Sequence, residues 1–183
     1  MPAGCPPRLR GKRRKVYRTR APISSALLRG GGRSCIIRAM QPIEIPARAV
    51  RTLYRVPYAD TDMMGYVYYG NYLTLFERAR NELMRATGRT YAQMESEGGA
   101  MLPVVEAHVD YHAPARYDDL LTVRAWVEEA RGIRVRIRCA VFRGEELLAD
   151  GYTVHACVDA KTRRPIRVPD YLLSFAASQG AAG

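Results

Sequence analysis

The stretch that decides the fold reads YADTDMMGYVYYGNYLTLFERAR and spans residues 58–80. Two acids, Asp60 and Asp62, end a strand-like segment, and Gly65 permits a tight turn after them. An amphipathic helix begins near Asn71, and the first amide groups of that helix would point back into the turn. A carboxylate at such a place can attack or deprotonate, while unpaired N–H groups hold the charge that develops on a carbonyl oxygen. The stretch therefore predicts a reaction site.

The spacing of apolar residues predicts one long helix from Asn71 to Thr87. The apolar positions that recur at helical spacing are Tyr72, Leu75, Phe76, Ala79, Leu83 and Ala86. Asn71 can cap the start of this helix, and Gly88 can end it. A helix of this length spans about 25 Å, which is enough to cross a small sheet. A second, short helix is predicted over residues 91–97.

Period-two patterns predict strands on either side of these helices. One strand ends at the acidic turn, and four more follow the second helix. The predicted apolar faces of the four are Val105, Ala107, Val109 and Tyr111; Leu121, Val123, Ala125 and Val127; Ile133, Val135, Ile137, Cys139 and Val141; and Tyr152, Val154, Ala156 and Val158. In the third of them, Arg134, Arg136 and Arg138 face outward together. A long helix followed by an antiparallel meander implies an α+β fold, with a curved antiparallel sheet wrapped around the helix.

The net charge of +11 is confined to the N-terminal segment. Residues 1–39 hold 11 Lys and Arg and no acid, which leaves 18 Lys and Arg in residues 40–183 against all 18 Asp and Glu. Because the N-terminal segment has no sustained apolar period, we expect a disordered basic tail over 1–45. The folded domain is predicted over 46–176, followed by a flexible C-terminus over 177–183.

Three interpretations of the tail stay open: translation that starts at Met40, a basic arm for anionic partners, or a targeting peptide. Because the folded part is formally neutral and no apolar run is long enough to cross a bilayer, we expect neither nucleic-acid binding nor a membrane span. The four cysteines show no CxxC spacing and no clustering with histidine. The pattern therefore predicts no zinc site and no disulfide, and it favours reduced thiols in the cytoplasm.

Residues 58–80 resemble the signature of the 4-hydroxybenzoyl-CoA thioesterase family, which has the hot-dog fold. The matching residues, in order and spacing, are Asp60-Thr61-Asp62, Gly65, Val67-Tyr68, Tyr72 and Phe76-Glu77-Arg78-Ala79-Arg80. Residues 114–119 resemble the second recurrent segment of the family, and the whole resemblance covers residues 50–172. Within the family the chain is most similar to the short bacterial acyl-CoA thioesterases associated with the Tol-Pal gene cluster.

The resemblance implies hydrolysis of acyl-CoA to a free acid and CoA. It implies Asp62 as the catalytic carboxylate, acting as nucleophile or general base, and the backbone N–H of Tyr69 as the oxyanion donor. Six residues are expected to contact the substrate, the arginines through the phosphates of CoA: Gly65, Tyr68, Tyr72, Arg116, Arg131 and Arg134. The family further implies a homodimer, often paired into a homotetramer, with active sites between subunits. No metal and no cofactor are expected, apart from the CoA of the substrate.

Alternatives stay open for both the residues and the function. Asp62 has the structural alternative of an ordinary turn aspartate, and Glu77 on the helix is a rival catalytic acid. The thioester carrier could be acyl carrier protein instead of CoA. A hot-dog dehydratase would need a catalytic histidine, and none occurs between Asp60 and His108. A non-catalytic binder of anionic partners would act through the basic tail. The three histidines are predicted to be partly exposed on the sheet: His108, His112 and His155.

Overall fold

The computed structural model describes residues 15–17 and 43–180 of the 183-residue chain. The elements in chain order are β1 (Lys15–Tyr17), β2 (Ile43–Ile45), β3 (Val50–Arg55), a 3-10 turn (Tyr58–Asp60), α1 (Asn71–Ala86), α2 (Tyr91–Ser96), β4 (Ala100–Met101), β5 (Val104–Tyr111), β6 (Leu120–Arg131), β7 (Arg134–Arg143), β8 (Glu146–Ala156), β9 (Val158–Asp159) and α3 (Asp170–Gln179). Apart from β1 and β2, which pair with each other, the predicted tail lies outside the described residues. In the described part, no helix is both long and apolar enough to cross a membrane.

Five strands form one antiparallel sheet in the order β3-β6-β7-β8-β5. Helix α1 lies against the inner face of this sheet and contacts both edge strands, β3 and β5, as well as β6 and β7. The sheet therefore wraps around the helix, as the predicted α+β fold requires. The α1 side chains buried in this contact are Tyr72, Leu75, Phe76, Ala79, Leu83 and Met84.

Helix α1 begins at Asn71 as predicted, but the capping role predicted for Asn71 is wrong. Gly70 occupies the N-cap position, and no side chain caps the helix. The Asn71 side chain instead donates a hydrogen bond from Nδ2 to the Asp60 carbonyl oxygen at 3.1 Å. At the other end the helix stops at Ala86, and Gly88 has φ +88°, the left-handed conformation typical of a residue that follows a helix. The first turn of α1 thus keeps its N–H groups free of a capping side chain.

The inward face predicted for β8 is wrong by one residue. Cross-strand pairing sets Gly151 opposite Cys139 and Thr153 opposite Ile137, and both partners belong to the main core. Residues directly opposite in an antiparallel pair share a face, so the predicted Tyr152, Val154 and Ala156 point outward. The apolar alternation along β8 indicated the wrong face, because small and polar residues such as Gly151 and Thr153 occupy its inner positions. Glycine is required at 151, since a Cβ there would lie 2.0 Å from the His108 carbonyl oxygen of β5.

His155 lies on this inner face and is fully buried, so the prediction of a partly exposed histidine is wrong for it. Its Nδ1 lies 2.9 Å from the Leu102 carbonyl oxygen, and its Nε2 lies 2.8 Å from Thr153 Oγ1. A carbonyl only accepts, so Nδ1 carries the proton and Nε2 accepts from the hydroxyl of Thr153. Burial lowers the pKa of His155 to about 4, and the hydrogen bond to Leu102 offsets this effect only in part. The ring is therefore a neutral core residue.

The outer face of the sheet carries a small apolar cluster and, beyond it, a network of ion pairs. The cluster consists of Ile45, Ala49, Trp126, Ala140, Phe142 and Leu147. The predicted outward arginines meet acids there: Arg136 and Arg138 lie 3.0 and 3.2 Å from Glu128, and Arg138 lies 2.9 Å from Asp150. Burial alone would raise the pKa of Asp150, but hydrogen bonds from His112 and Arg138 outweigh it and lower that pKa. Two of the three arginines predicted to face outward, Arg136 and Arg138, are therefore paired with acids.

Gln179 ties the C-terminal helix α3 to the sheet. Its Oε1 accepts a hydrogen bond from the Val127 N–H at 2.9 Å, and its Nε2 donates to the Arg48 carbonyl oxygen at 3.3 Å. The neighbouring strand β3 begins only at Val50, which pairs with Ala125, so Gln179 takes the place of a strand partner for Val127. Elements β2 and α3 both extend beyond the limits predicted for the folded domain.

We predict that acid weakens the fold through His155. The pKa of this ring is about 4 in the folded chain against an ordinary value of 6.5, so protonation favours the unfolded state. The contribution of the neutral His155 ring to the free energy of unfolding is fully present above pH 6.5 and is lost as the pH falls toward 4. At pH 5 the loss amounts to about 2 kcal/mol.

The measurement is urea unfolding at pH 7 and pH 5. His155→Gln should be less stable than wild type at pH 7, but its free energy of unfolding should fall less between pH 7 and pH 5. His108→Gln, which changes an exposed histidine, serves as the control and should show the same fall as wild type. A pH dependence that persists in full in His155→Gln would contradict the assignment.

Candidate active site

A tight turn from Asp62 to Tyr66 carries the second acid of the motif. The Asp62 N–H donates to the Tyr66 carbonyl oxygen at 2.9 Å, and the Gly65 N–H donates to the Asp62 carbonyl oxygen at 2.9 Å. Gly65 has φ +73°, a conformation that residues with a side chain adopt only at a cost. Just outside the turn, Thr61 and Val67 pair as an antiparallel bridge. The chain thus reverses at the acids and leads directly into α1.

Hydrogen bonds of Asp60 hold this loop together. The Tyr54 hydroxyl on β3 donates a hydrogen bond to Asp60 Oδ2. Burial, followed by the contact with Asp60, raises the pKa of Tyr54 to about 12, so the hydroxyl stays protonated and keeps donating. The carbonyl oxygen of Asp60 accepts from the Tyr68 N–H at 2.9 Å and also from the Asn71 side chain. Asp60 therefore links β3, the turn and the start of α1.

Asp62 is half-buried and has a different set of contacts. Its Oδ1 accepts a hydrogen bond from the Met64 N–H at 2.8 Å, the local bond typical of a turn aspartate. Within residues 43–180 Asp62 forms no ion pair, and its Oδ2 accepts no hydrogen bond. The Met64 bond thus orients the carboxylate and leaves one oxygen open. An open carboxylate oxygen is what a nucleophile or a general base requires.

The start of α1 supplies unpaired donors beside this turn. The Tyr68 N–H is taken by the Asp60 carbonyl oxygen, and the Asn71 N–H donates to the Tyr68 carbonyl oxygen at 2.9 Å. Between them, the N–H groups of Tyr69 and Gly70 donate no hydrogen bond within residues 43–180. Donors of this kind, together with the helix dipole, stabilise a negative oxygen. The predicted oxyanion donor, the Tyr69 N–H, is therefore at a helix start and unoccupied.

The predicted substrate-binding tyrosines have different surroundings in the single chain. Tyr68 is 45% exposed, and its ring centroid lies 4.4 Å from that of Tyr69. Tyr72 is only 3% exposed, and its hydroxyl accepts a hydrogen bond from the Ala115 N–H at 3.4 Å. Tyr72 thus belongs to the packed core, whereas Tyr68 and Tyr69 remain accessible next to the turn.

The three predicted arginines lie at opposite ends of the sheet. Arg116 precedes β6, and its Cζ lies 4.7 Å from the centroid of the Tyr66 ring in the acidic turn. Arg131 and Arg134 flank the hairpin between β6 and β7. Strand β6 has 12 residues, and a strand of that length spans about 36 Å. One chain therefore brings Arg116 close to the turn but does not bring Arg131 or Arg134 there.

Other candidate catalytic groups do not join the turn. Glu77 is exposed on α1. His108 lies 3.1 Å from Asp110, and His112 lies 2.6 Å from Asp150, in contacts on the outer side of the sheet. Among the described residues, no three His, Cys, Asp or Glu side chains gather in a way that could hold a metal ion. The absence of a metal and of a cofactor from the reaction stays a prediction.

Two hydroxyl groups that shape the site are missing from the sequence-based candidates. Strand periodicity predicts Tyr111 only as part of an apolar strand face, and Tyr54 is not among the predicted site residues. The Tyr111 hydroxyl nevertheless donates to the Tyr69 carbonyl oxygen at 2.9 Å, although 42 residues separate the two in the chain. No local spacing links such a pair. The available signal was that a tyrosine on an inward face usually finds a partner for its hydroxyl.

Known proteins match this chain over its folded part. The model of the thioesterase-like superfamily matches residues 56–175, which include the acidic turn and α1. The chain belongs to this superfamily. The match confirms the thioesterase class predicted from the sequence, at the level of the superfamily.

Individual relatives of this thioesterase agree with the family match. Acyl-CoA thioesterase YbgC of Haemophilus influenzae is 35% identical over 115 residues, which are 63% of this chain and 85% of that protein. Acyl-CoA thioester hydrolase YbgC of Escherichia coli O6:H1 is 31% identical over 128 residues, which are 67% and 95%. The crystal structure of DHNA-CoA thioesterase from Staphylococcus aureus matches with a TM-score of 0.66 at 33% identity, covering 72% of this chain and 91% of that one. These likenesses confirm the hot-dog fold, but not the narrower 4-hydroxybenzoyl-CoA subfamily.

We predict that Gly65→Ala impairs this thioesterase more than its stability cost explains. No heavy atom lies within 4 Å of a Cβ built at Gly65, so the cost arises from its positive φ and amounts to about 1 kcal/mol. Gly88→Ala is the matched control, because Gly88 also has a positive φ and open space but lies at the far end of α1.

Urea unfolding should show a similar loss of stability in both variants. Thioester hydrolysis should fall roughly tenfold or more in Gly65→Ala alone, because a change at Gly65 displaces the carboxylate of Asp62 in the same turn. Equal activity in the two variants would mean that the geometry of the turn does not limit the reaction.

Proposed function

We propose that the protein hydrolyses acyl-CoA thioesters to a free carboxylic acid and CoA. The observation that carries the proposal is the Asp62 carboxylate, with one open oxygen, in a turn that leads into the unpaired Tyr69 N–H at the start of α1. Thioester cleavage needs these two elements, an oxygen nucleophile or base and a donor for the oxyanion. The names of the YbgC relatives, an acyl-CoA thioesterase and an acyl-CoA thioester hydrolase, support CoA as the thiol.

Two routes fit this arrangement. In the first, an Asp62 oxygen attacks the thioester carbon, the C–S bond breaks, and CoA leaves as the thiolate. Water then cleaves the mixed anhydride to the free acid and the regenerated carboxylate, and the proton released by the water protonates the thiolate. In the second, Asp62 takes a proton from water, and the resulting hydroxide attacks the same carbon. The C–S bond then breaks, and the proton held by Asp62 passes to the departing CoA thiolate. In both routes the carbonyl oxygen becomes negative, and the Tyr69 N–H stabilises it.

Arg116 is the proposed contact for the phosphates of CoA. Its backbone N–H donates to Asp119 Oδ2 at 2.8 Å, which holds the main chain in place, while the side chain is exposed over the Tyr66 ring. A guanidinium that forms no ion pair within residues 43–180 is free to bind phosphate with two parallel hydrogen bonds. Because Arg131 and Arg134 lie at the other end of the sheet, contacts from them to the same CoA require a second subunit.

We further propose a homodimer, with pairing into a tetramer as a further step. The edge strand β5 exposes Val104 and Val105 by about half, and near the turn Met63 is fully exposed and Met64 is 71% exposed. Apolar side chains at an unpaired strand edge and beside an active site are typical of surfaces that another subunit covers. The proposal also places the enzyme in the cytoplasm and among the Tol-Pal-associated thioesterases.

We predict that Asp62→Asn lowers kcat by about a hundredfold or more, because an amide oxygen is a poor nucleophile and a poor base. The assay measures free thiol released from a panel of aliphatic and aromatic acyl-CoA thioesters. Aromatic members belong in the panel because the Staphylococcus aureus relative is a DHNA-CoA thioesterase.

Glu77→Gln is the matched control for Asp62→Asn, since it neutralises the rival acid on α1, and it should keep most of the rate. Full activity in Asp62→Asn, or the reverse order of the two variants, would overturn the assignment of the carboxylate. A chain that cleaves no member of the panel would overturn the proposed function itself.

We predict that Arg116→Ala raises KM for acyl-CoA about fivefold, the effect of losing roughly 1 kcal/mol of a charged hydrogen bond at an exposed site. A second substrate serves as the control. For the N-acetylcysteamine thioester of the same acyl group, which lacks the phosphates of CoA, Arg116→Ala should leave KM unchanged. An equal rise of KM for both substrates would mean that Arg116 acts on the acyl group or on the fold.

A further inference from the structure

The strand β5 reaches into the proposed site through the hydroxyl of Tyr111. This hydroxyl donates to the Tyr69 carbonyl oxygen at 2.9 Å. The same oxygen accepts only a longer hydrogen bond, of 3.3 Å, from the Tyr72 N–H at the start of α1. Tyr111 therefore provides the shorter of the two hydrogen bonds that hold this carbonyl group.

The Tyr69 carbonyl group and the Gly70 N–H are the two ends of one peptide unit. A hydrogen bond accepted at the oxygen polarises the unit and makes its N–H a stronger donor. The Gly70 N–H donates no hydrogen bond within residues 43–180, and neither does the Tyr69 N–H beside it. The preceding peptide unit is held in the same way, because its Tyr68 carbonyl oxygen accepts from the Asn71 N–H at 2.9 Å. Both free donors thus belong to peptide units whose carbonyl oxygens are fixed.

The ring of Tyr111 is itself fixed by the core. Its centroid lies 5.2 Å from that of the buried Tyr72, with the two planes at 85°, the edge-to-face arrangement that aromatic pairs favour. Burial, with a smaller effect from Tyr69, raises the pKa of Tyr111 above its ordinary value of 10.0, so the hydroxyl carries its proton at neutral pH and donates. The contact therefore connects a strand edge to the helix start through a half-exposed side chain whose ring packs on the buried Tyr72.

We propose that Tyr111 is a positioning residue for thioester hydrolysis, whose hydroxyl orients and polarises the Tyr69–Gly70 peptide unit so that the Gly70 N–H acts as a second oxyanion donor beside that of Tyr69. This inference rests on the proposed function. Because the oxyanion exists only in the transition state, a donor that binds it raises kcat without affecting the binding of substrate.

The test is Tyr111→Phe, which removes one hydroxyl group and keeps the ring. Tyr152→Phe is the matched control, since the Tyr152 hydroxyl also makes one hydrogen bond, to Glu106 Oε1 at 2.7 Å, but on the outer face of the sheet. We expect kcat for acyl-CoA to fall about three- to tenfold in Tyr111→Phe alone, with KM and the apparent pKa of the pH–rate profile unchanged. The thermal midpoints of the two variants should be similar.

A second readout does not depend on turnover. Loss of the hydrogen bond should shift the amide resonance of Gly70 in the NMR spectrum of Tyr111→Phe and leave it in place in Tyr152→Phe. An unshifted Gly70 resonance, an unchanged kcat, or a loss of kcat matched by Tyr152→Phe would overturn the inference. If the chain cleaves no acyl-CoA thioester, the proposed function fails, and a shifted Gly70 resonance then shows the hydrogen bond without a catalytic role for it.

Discussion

The packing of α1 against the inner face of the sheet is the constraint on which the site depends. Phe76 and Ala79 are completely buried in this contact, and burial of one side chain as large as Phe contributes about 2–3 kcal/mol. Because the helix is held against β3 and β6, its first turn falls beside the loop that leaves β3. The helix start then presents N–H groups that no side chain caps. These donors lie next to the turn that carries the Asp62 carboxylate, so the proposed site combines both kinds of group.

The two acids of the motif have different hydrogen-bond partners. Asp60 binds the Tyr54 hydroxyl through its side chain, and its carbonyl oxygen binds Tyr68 and Asn71, so its bonds hold three segments together. Asp62 makes one local bond, to Met64, and keeps an open oxygen. Each acid has one side-chain oxygen bound, but the partner of Asp60 is the hydroxyl of a neighbouring strand, so Asp60 is the acid that ties the loop to the sheet.

Several charged residues elsewhere in the structure pair with one another. On the outer face Asp150 is 5% exposed and lies against Arg138 and His112, and removing either partner would leave a buried charge poorly compensated. Arg116 forms no ion pair within residues 43–180, and it stacks on Tyr66 beside the turn. Its place beside the turn, and not the lack of an ion pair alone, makes it a candidate ligand contact.

Local patterns in the chain were enough to predict the α+β class, the extent of α1 and the acidic turn with its glycine at 65, because helical period, strand alternation and dihedral preference are properties of neighbouring residues. Four features became visible only in the folded chain: the inward face of β8, the burial of His155, the bond from Asn71 to the turn in place of a helix cap, and the contact of Tyr111 with Tyr69. Each of these depends on a contact between segments far apart in the chain. The stabilisation from such a contact depends on the residues that folding packs around it, and a pattern of neighbouring residues does not specify them.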